Sequence, residues 1–227
     1  MTLPELFDLS LLGRRQEPAL EWNGATYSFG AIDDRASRMA RALTDRGLAP
    51  GQRLAVYLPN CLEYIDVYLA VTRLGAILVP VNILYRDREI AHILSDADPV
   101  ALVASEASAG HIPAGANVWP LEELAREAAA QTAERATAVR DGDTPAAIVY
   151  TSGTTGTAKG AVLTHQNFVV NATNLTACWQ ITARDRFLLT LPLSTCMGSA
   201  TASTAGSPPA AGCGSPSVSN TNKPQRG

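Results

Sequence analysis

The 227 residues include 46% hydrophobic and 17% charged side chains, with a formal net charge of −3 and a mean hydropathy of +0.03. That balance suits a globular core in one large or two small domains, and it leaves no basic footprint for nucleic acid or a membrane surface. Residues 1–10 lack the basic start and apolar centre of a secretory signal, and the most apolar stretch, 68–84, is broken by Arg73, Pro80 and Asn82, which argues against a membrane span.

Residues 1–22 read as a leader with a short helix, followed by Asn23-Gly24 between two semi-apolar runs, a hairpin signal. Ser28 can cap a helix whose apolar positions Ile32, Ala36, Met39, Ala40 and Leu43 recur at helical spacing and end near Gly47. Pro50-Gly51 is a turn, and Leu54-Ala55-Val56-Tyr57-Leu58 is a buried strand. The next helix runs from Leu62 to Leu74, apolar nearly all round, and stops at Gly75. Residues 77–81 form a strand in which Pro80 marks an end or an edge.

A third helix is predicted over residues 86–95, and Val100-Ala101-Leu102-Val103-Ala104 is the strand after it. Residues 106–143 are Ala-rich and charged, with a helix near 121–130 whose Glu122, Glu123 and neighbouring charges form a solvated face. Helix and strand alternate throughout, the pattern of an α/β fold with a mostly parallel sheet and helices on both faces.

The most informative stretch is Thr151-Ser152-Gly153-Thr154-Thr155-Gly156-Thr157-Ala158-Lys159-Gly160. It lies between the apolar run 146–150 and a second short buried strand, Ala161-Val162-Leu163. Glycines let backbone N–H groups approach an anion, hydroxyls add donors, and a single lysine supplies compact positive charge for phosphate oxygens. The Walker spacing is absent, because Gly153 and Gly156 lie too close together and Lys159 precedes glycine. Composition alone leaves two readings open, a phosphate-binding loop and a polar linker.

The string Ile148-Val149-Tyr150-Thr151-Ser152-Gly153-Thr154-Thr155-Gly156, with Lys159-Gly160 and Thr164-His165 after it, closely resembles the signature of the adenylate-forming superfamily. Residues 47–56 and 74–82 are further family-like stretches, and the resemblance covers roughly 20–193. It implies that residues 1–193 are a partial AMP-binding domain, the incomplete N-terminal part of the adenylate-forming layered fold. Thr151, Ser152, Gly153, Thr154, Thr155, Gly156 and Thr157 would cradle the ATP phosphates, and Lys159 would neutralise their charge. One departure is Ala158, where the family usually has proline; losing that φ constraint loosens the loop slightly.

The resemblance further implies an acyl-CoA synthetase-like ligase of the acid–thiol class. Such enzymes use ATP to convert a carboxylic acid to an acyl-adenylate and then a coenzyme A thioester, with Mg2+ held by a residue outside this stretch. By the same resemblance no catalytic residue and no metal ligand falls within this chain, so the fragment alone is expected to be inactive. The alternative is a non-catalytic nucleotide-binding fragment or a non-functional truncation product. A cytoplasmic location, no transmembrane segment and no nucleic-acid partner accompany the ligase reading.

Among the smaller candidates, His165 follows Thr164 at a helix start and reads either as a catalytic base or, preferably, as a hydrogen-bonding residue of the terminus. His92 and His111 are assigned to structure. Cys61, Cys178, Cys196 and Cys213 show neither Cys-x-x-Cys nor zinc-ligand spacing and fit packing roles in a reducing compartment.

From Ser194 the chain changes character: 25 of its last 34 residues are Ser, Thr, Gly, Ala or Pro, without an acid, aromatic, Leu or Ile. One reading of 194–227 is a disordered low-complexity tail. Another is translation in a shifted frame. A one-base shift allows synonymous codons to spell a family-like Phe-His-Val-His-Gly run after Leu193, and glycine is retained at position 198 because the single methionine codon ends in G. On that reading the chain lacks later strands of its sheet, and an insoluble or chaperone-bound product is expected.

Overall fold

The computed structural model describes residues 1–136, 141–151, 158–195 and 210–212. Helix α1, Leu3–Leu11, starts with a capping box in which Thr2 and Glu5 satisfy each other's backbone N–H groups. Its Leu3, Phe7 and Leu11 are buried, so the expected leader is an integral layer of the core. Strands β1, Pro18–Trp22, and β2, Ala25–Ser28, form the expected hairpin. Asn23 and Gly24 both take positive φ, 47° and 79°, as the tight turn requires.

Ser28 Oγ accepts the Ala31 N–H and opens α2, Phe29–Asp45, whose buried stripe includes the residues expected from periodicity. Then follow β3, Arg53–Tyr57; α3, Leu62–Leu74, closed by left-handed Gly75; β4, Ile77–Pro80; α4, Asp87–Ala97; and β5, Ala101–Ala104. A 3-10 turn over Glu106–His111 and the short β6, Val118–Pro120, were not evident in the sequence and precede α5, Leu121–Ala130. The chain continues through β7, Pro145–Thr151; β8, Lys159–Thr164; α6, His165–Cys178; β9, Arg186–Leu188; and β10, Ala210–Gly212.

Among the described residues the larger sheet has the order β6-β5-β3-β4-β7-β8, parallel throughout except for β8, which runs antiparallel to β7. A smaller sheet, β2-β1-β10-β9, lies alongside. The layered, mostly parallel α/β architecture is thus as expected. Pro80 ends an interior strand and does not mark an edge, which leaves the ladder intact. The exposure of β8 differs from the buried strand expected there: Ala161 and Val162 are exposed, and β8 is the outermost strand of this sheet among the described residues. Apart from the short strand β10, the low-complexity residues beyond Thr195 lie outside those described.

Alternation along the strands separates two apolar layers. Leu54, Val56, Leu78, Val103, Ala147 and Val149 pack with α2, α3 and α5, whereas Ala55, Tyr57, Val79, Leu102 and Tyr150 pack against Ile90, Ile93 and Ala97 of α4. On the first side a charged knot is buried. Asp33, 1% exposed, receives the guanidinium of Arg73, itself 4% exposed, together with Arg15 Nη1 at 2.6 Å. Arg135 Nε stands 3.0 Å from the same carboxylate, and the Arg135 guanidinium also pairs with Asp8 of α1. Ser37 Oγ completes the knot, donating to the Asp33 carbonyl and accepting from Arg73 Nη1.

A second buried acid, Asp66 of α3, is held bidentately by Arg35, yet burial pushes its pKa up to about 6 against the opposing pull of that guanidinium. Arg35 also lies 3.5 Å from Glu63.

Replacing Asp33 by Ala leaves three guanidiniums crowded around a void, and chemical denaturation should show a loss of about 3–5 kcal/mol. For Asp66 the folded-state pKa lies above the unfolded one. Its contribution is therefore full below about pH 4 and lost as pH rises through about 6. Relative to Asp66→Asn, the parent protein should lose about 1–3 kcal/mol of stability between those limits, measured by urea titration across pH.

Candidate phosphate-binding site

The Gly/Ser/Thr segment leaves the carboxyl end of β7, on the edge of a parallel sheet where open α/β folds bind ligands. Of the expected phosphate ligands, Thr151 is the last residue of β7 and Lys159 the first of β8. The antiparallel register pairs them directly, Thr151 with Lys159 and Tyr150 with Gly160. Both Thr151 and Lys159 are exposed, and Lys159 enters no ion pair among the described residues. A hydroxyl and a solvated ammonium thus stand side by side at the foot of the hairpin, available to an anion. Ser152, Gly153, Thr154, Thr155, Gly156 and Thr157 lie outside the described residues.

Below this foot the packing is close. A side chain at Gly160 would place its Cβ 2.8 Å from Ile148 Cγ2 and 3.1 Å from Tyr150 Cζ. The glycine therefore serves the strand pair as well as the loop: it leaves room for the Tyr150 ring. The Tyr150 hydroxyl donates to Asp96 Oδ2 of α4 at 2.5 Å, and burial, then this carboxylate, raise its pKa, so the phenol keeps its proton. His92, one helical turn before Asp96, places Nε2 2.8 Å from the Ala158 carbonyl oxygen. A carbonyl can only accept, so Nε2 carries the proton. The carbonyl of Ala158, the residue expected to loosen the loop, is thereby fixed to α4.

His92 was expected to be structural, and Asp96 to lie just past the end of a helix over 86–95; α4 instead runs on to Ala97 and carries both residues. What could have found them is the helical spacing of the two residues, but no local feature announces that α4 packs beside β7. His165 is fully buried at the start of α6, with Thr164 as its N-cap, and its Nδ1 lies 3.4 Å from the Leu3 N–H of α1. That places it between two helix starts rather than at the exposed foot of the hairpin. His111 ends the 3-10 turn. Among the described residues no group of three His, Cys, Asp or Glu side chains could hold a metal ion, and no helix is long and apolar enough to cross a membrane.

This arrangement is a mostly parallel α/β sheet with a hydroxyl- and glycine-rich segment between its last two strands among the described residues, β7 and β8. A family model described as AMP-binding enzyme matches residues 7–206, and the chain belongs to that family, whose members include adenylate-forming ligases. It is 30% identical over 196 residues to novobiocin biosynthesis protein H of Streptomyces niveus, covering 82% of this chain and 33% of that protein. It is also 30% identical over 213 residues to a sulfoacetate–CoA ligase of Cupriavidus necator, covering 85% of this chain and 42% of the ligase. The crystal structure of ATP-bound MatB from Rhodopseudomonas palustris superimposes with a TM-score of 0.84 at 31% identity, over 95% of this chain and 46% of that one. The chain thus spans about a third to a half of the length of these relatives.

Gly160→Val should displace the Tyr150 ring and cost about 1–3 kcal/mol of stability by overpacking, read from the denaturation midpoint. Gly160→Ala should show the same sign with a smaller loss.

Proposed function

We propose that the segment from Thr151 to Lys159 binds the phosphates of ATP, and that the chain is part of a carboxylate-activating ligase of the acyl-CoA synthetase kind, inactive in catalysis by itself. Thr151, Ser152, Gly153, Thr154, Thr155, Gly156 and Thr157 hold the phosphate oxygens through backbone N–H and hydroxyl groups, and Lys159 offsets their charge. The single observation that carries this reading is the register of the hairpin, which sets an exposed Lys159, in no ion pair among the described residues, beside Thr151 at the carboxyl edge of the sheet. Membership of the AMP-binding family and the likeness to an ATP-bound structure support it.

In this reaction the carboxylate attacks the α-phosphate in line, pyrophosphate leaves, and the resulting acyl-adenylate passes its acyl group to coenzyme A. Orientation and charge neutralisation dominate such a step, and a phosphate loop supplies both for the leaving pyrophosphate. Magnesium enters with the nucleotide; none of the described residues is assigned to it. Coenzyme A is preferred as acceptor because a sulfoacetate–CoA ligase is among the relatives. Isolated thiols fit a cytoplasmic setting.

ATP–pyrophosphate exchange in the presence of a panel of carboxylic acids, together with equilibrium binding of Mg-ATP, tests the proposal. Binding of Mg-ATP without exchange is the result expected of this chain; exchange overturns its inactivity in isolation, and no binding overturns the phosphate-binding reading. Lys159→Ala should weaken ATP binding about tenfold without shifting the melting temperature, because the side chain is exposed and contributes charge alone.

A further inference from the structure

Both ends of the Gly/Ser/Thr segment are tied to the same helix. Tyr150, the residue before Thr151, donates to Asp96 at 2.5 Å, and Ala158, the residue before Lys159, has its carbonyl on His92 Nε2 at 2.8 Å. His92 and Asp96 are four residues apart in α4 and so share one face of the helix. The His92 ring meets the Tyr150 ring edge-on, with centroids 6.1 Å apart and planes at 85°. The apolar side of the contact is continuous: Tyr150 is buried with Ile90, Ile93 and Ala97 of α4, and Ala158 packs against the same cluster.

These four residues form a clasp. From one helical face, two hydrogen bonds reach the last turn of chain before the segment and the first residue described after it. Neither β7 nor β8 needs these bonds for its own ladder, since they use a phenol, a carboxylate, an imidazole and a carbonyl that ends outside the strand pairing. β8 is also the outermost strand, so its outer side has no neighbouring strand to hold it among the described residues. The bond to Ala158 therefore anchors the entry of β8 from below.

We propose that His92 and Asp96 are positioning residues for nucleotide binding, which hold Thr151 and Lys159 opposite one another by fixing Tyr150 and the Ala158 carbonyl. The proposal rests on the phosphate-binding reading of Thr151 and Lys159. It assigns to α4 a role distinct from core packing: its polar face sets the spacing of the hairpin foot, while Ile90, Ile93 and Ala97 bury its apolar face.

The test combines Mg-ATP affinity, melting temperature and amide hydrogen exchange on the full chain and on His92→Ala, Asp96→Ala and His92→Gln. Loss of one such hydrogen bond should weaken Mg-ATP binding about three- to tenfold. Exchange should accelerate in peptides covering 150–151 and 158–161, with that of α2 and α3 unchanged. Gln can place an N–H donor where the imidazole Nε2 stood, so His92→Gln should restore most of the affinity, which a loss of packing volume would not predict.

Unchanged affinity in both alanine variants overturns the proposal, and so does accelerated exchange spread evenly over the molecule. If the parent protein binds no Mg-ATP, the phosphate-binding reading fails by itself. Exchange then decides the clasp separately: local acceleration at 150–151 and 158–161 upholds the tether, and unaltered exchange there overturns it.

Discussion

A single carboxylate, that of Asp33, sits where three helices and two connecting segments converge, and its burial constrains what surrounds it. At 1% exposure it has left water behind, and an ionised carboxylate in that position persists only with close counter-charge. Arg73 brings α3, Arg15 brings the connection after α1, and Arg135 brings the segment after α5 and, through Asp8, α1 itself. Each of these elements must dock in one orientation for the charges to meet. Apolar packing of Leu, Val and Ala tolerates sliding by fractions of an ångström, whereas a knot of hydrogen-bonded charges does not. The helices on this side of the sheet are thereby set in register with β3, β4 and β7.

That register reaches the candidate site through the sheet. β7 is fixed on one face by the layer containing Ala147 and Val149, and on the other by Ile148 and Tyr150 against α4. A strand held on both faces has little freedom at its carboxyl end, so Thr151 is delivered to a defined place. Its partner β8 has a neighbour on one side only, and its placement depends on the ladder with β7, the closeness allowed by Gly160 and the polar contacts of α4. Order at Thr151 and Lys159 is therefore inherited from the interior outward.

Much of the fold was legible because its signals are local. Asn23-Gly24 names its own turn; Ser28 and Gly75 mark where helices begin and end; apolar runs of four or five residues bounded by turns identify β3, β4, β5 and β7. The short β6 and the 3-10 turn of Glu106–His111 escaped, since three residues cannot establish a period. The exposure of β8 escaped for a different reason. Ala161, Val162 and Leu163 have the composition of an interior strand, and only the order of strands shows that nothing pairs beyond it among the described residues.

The sequence by itself determined the element types, the alternation that makes a parallel α/β sheet, and the chemistry of the Thr151 to Lys159 segment, because backbone preference and side-chain chemistry reside in neighbouring residues. Tertiary structure alone decided which distant groups meet. Asp33 and Arg135 are separated by seven strands and α-helices, yet they share one buried knot. His92 reaches across 66 positions to the Ala158 carbonyl, and Asp96 across 54 to the Tyr150 hydroxyl. Contacts of that span are fixed by the order of strands in the sheet and the face on which each helix packs, properties of the folded whole that no local pattern encodes.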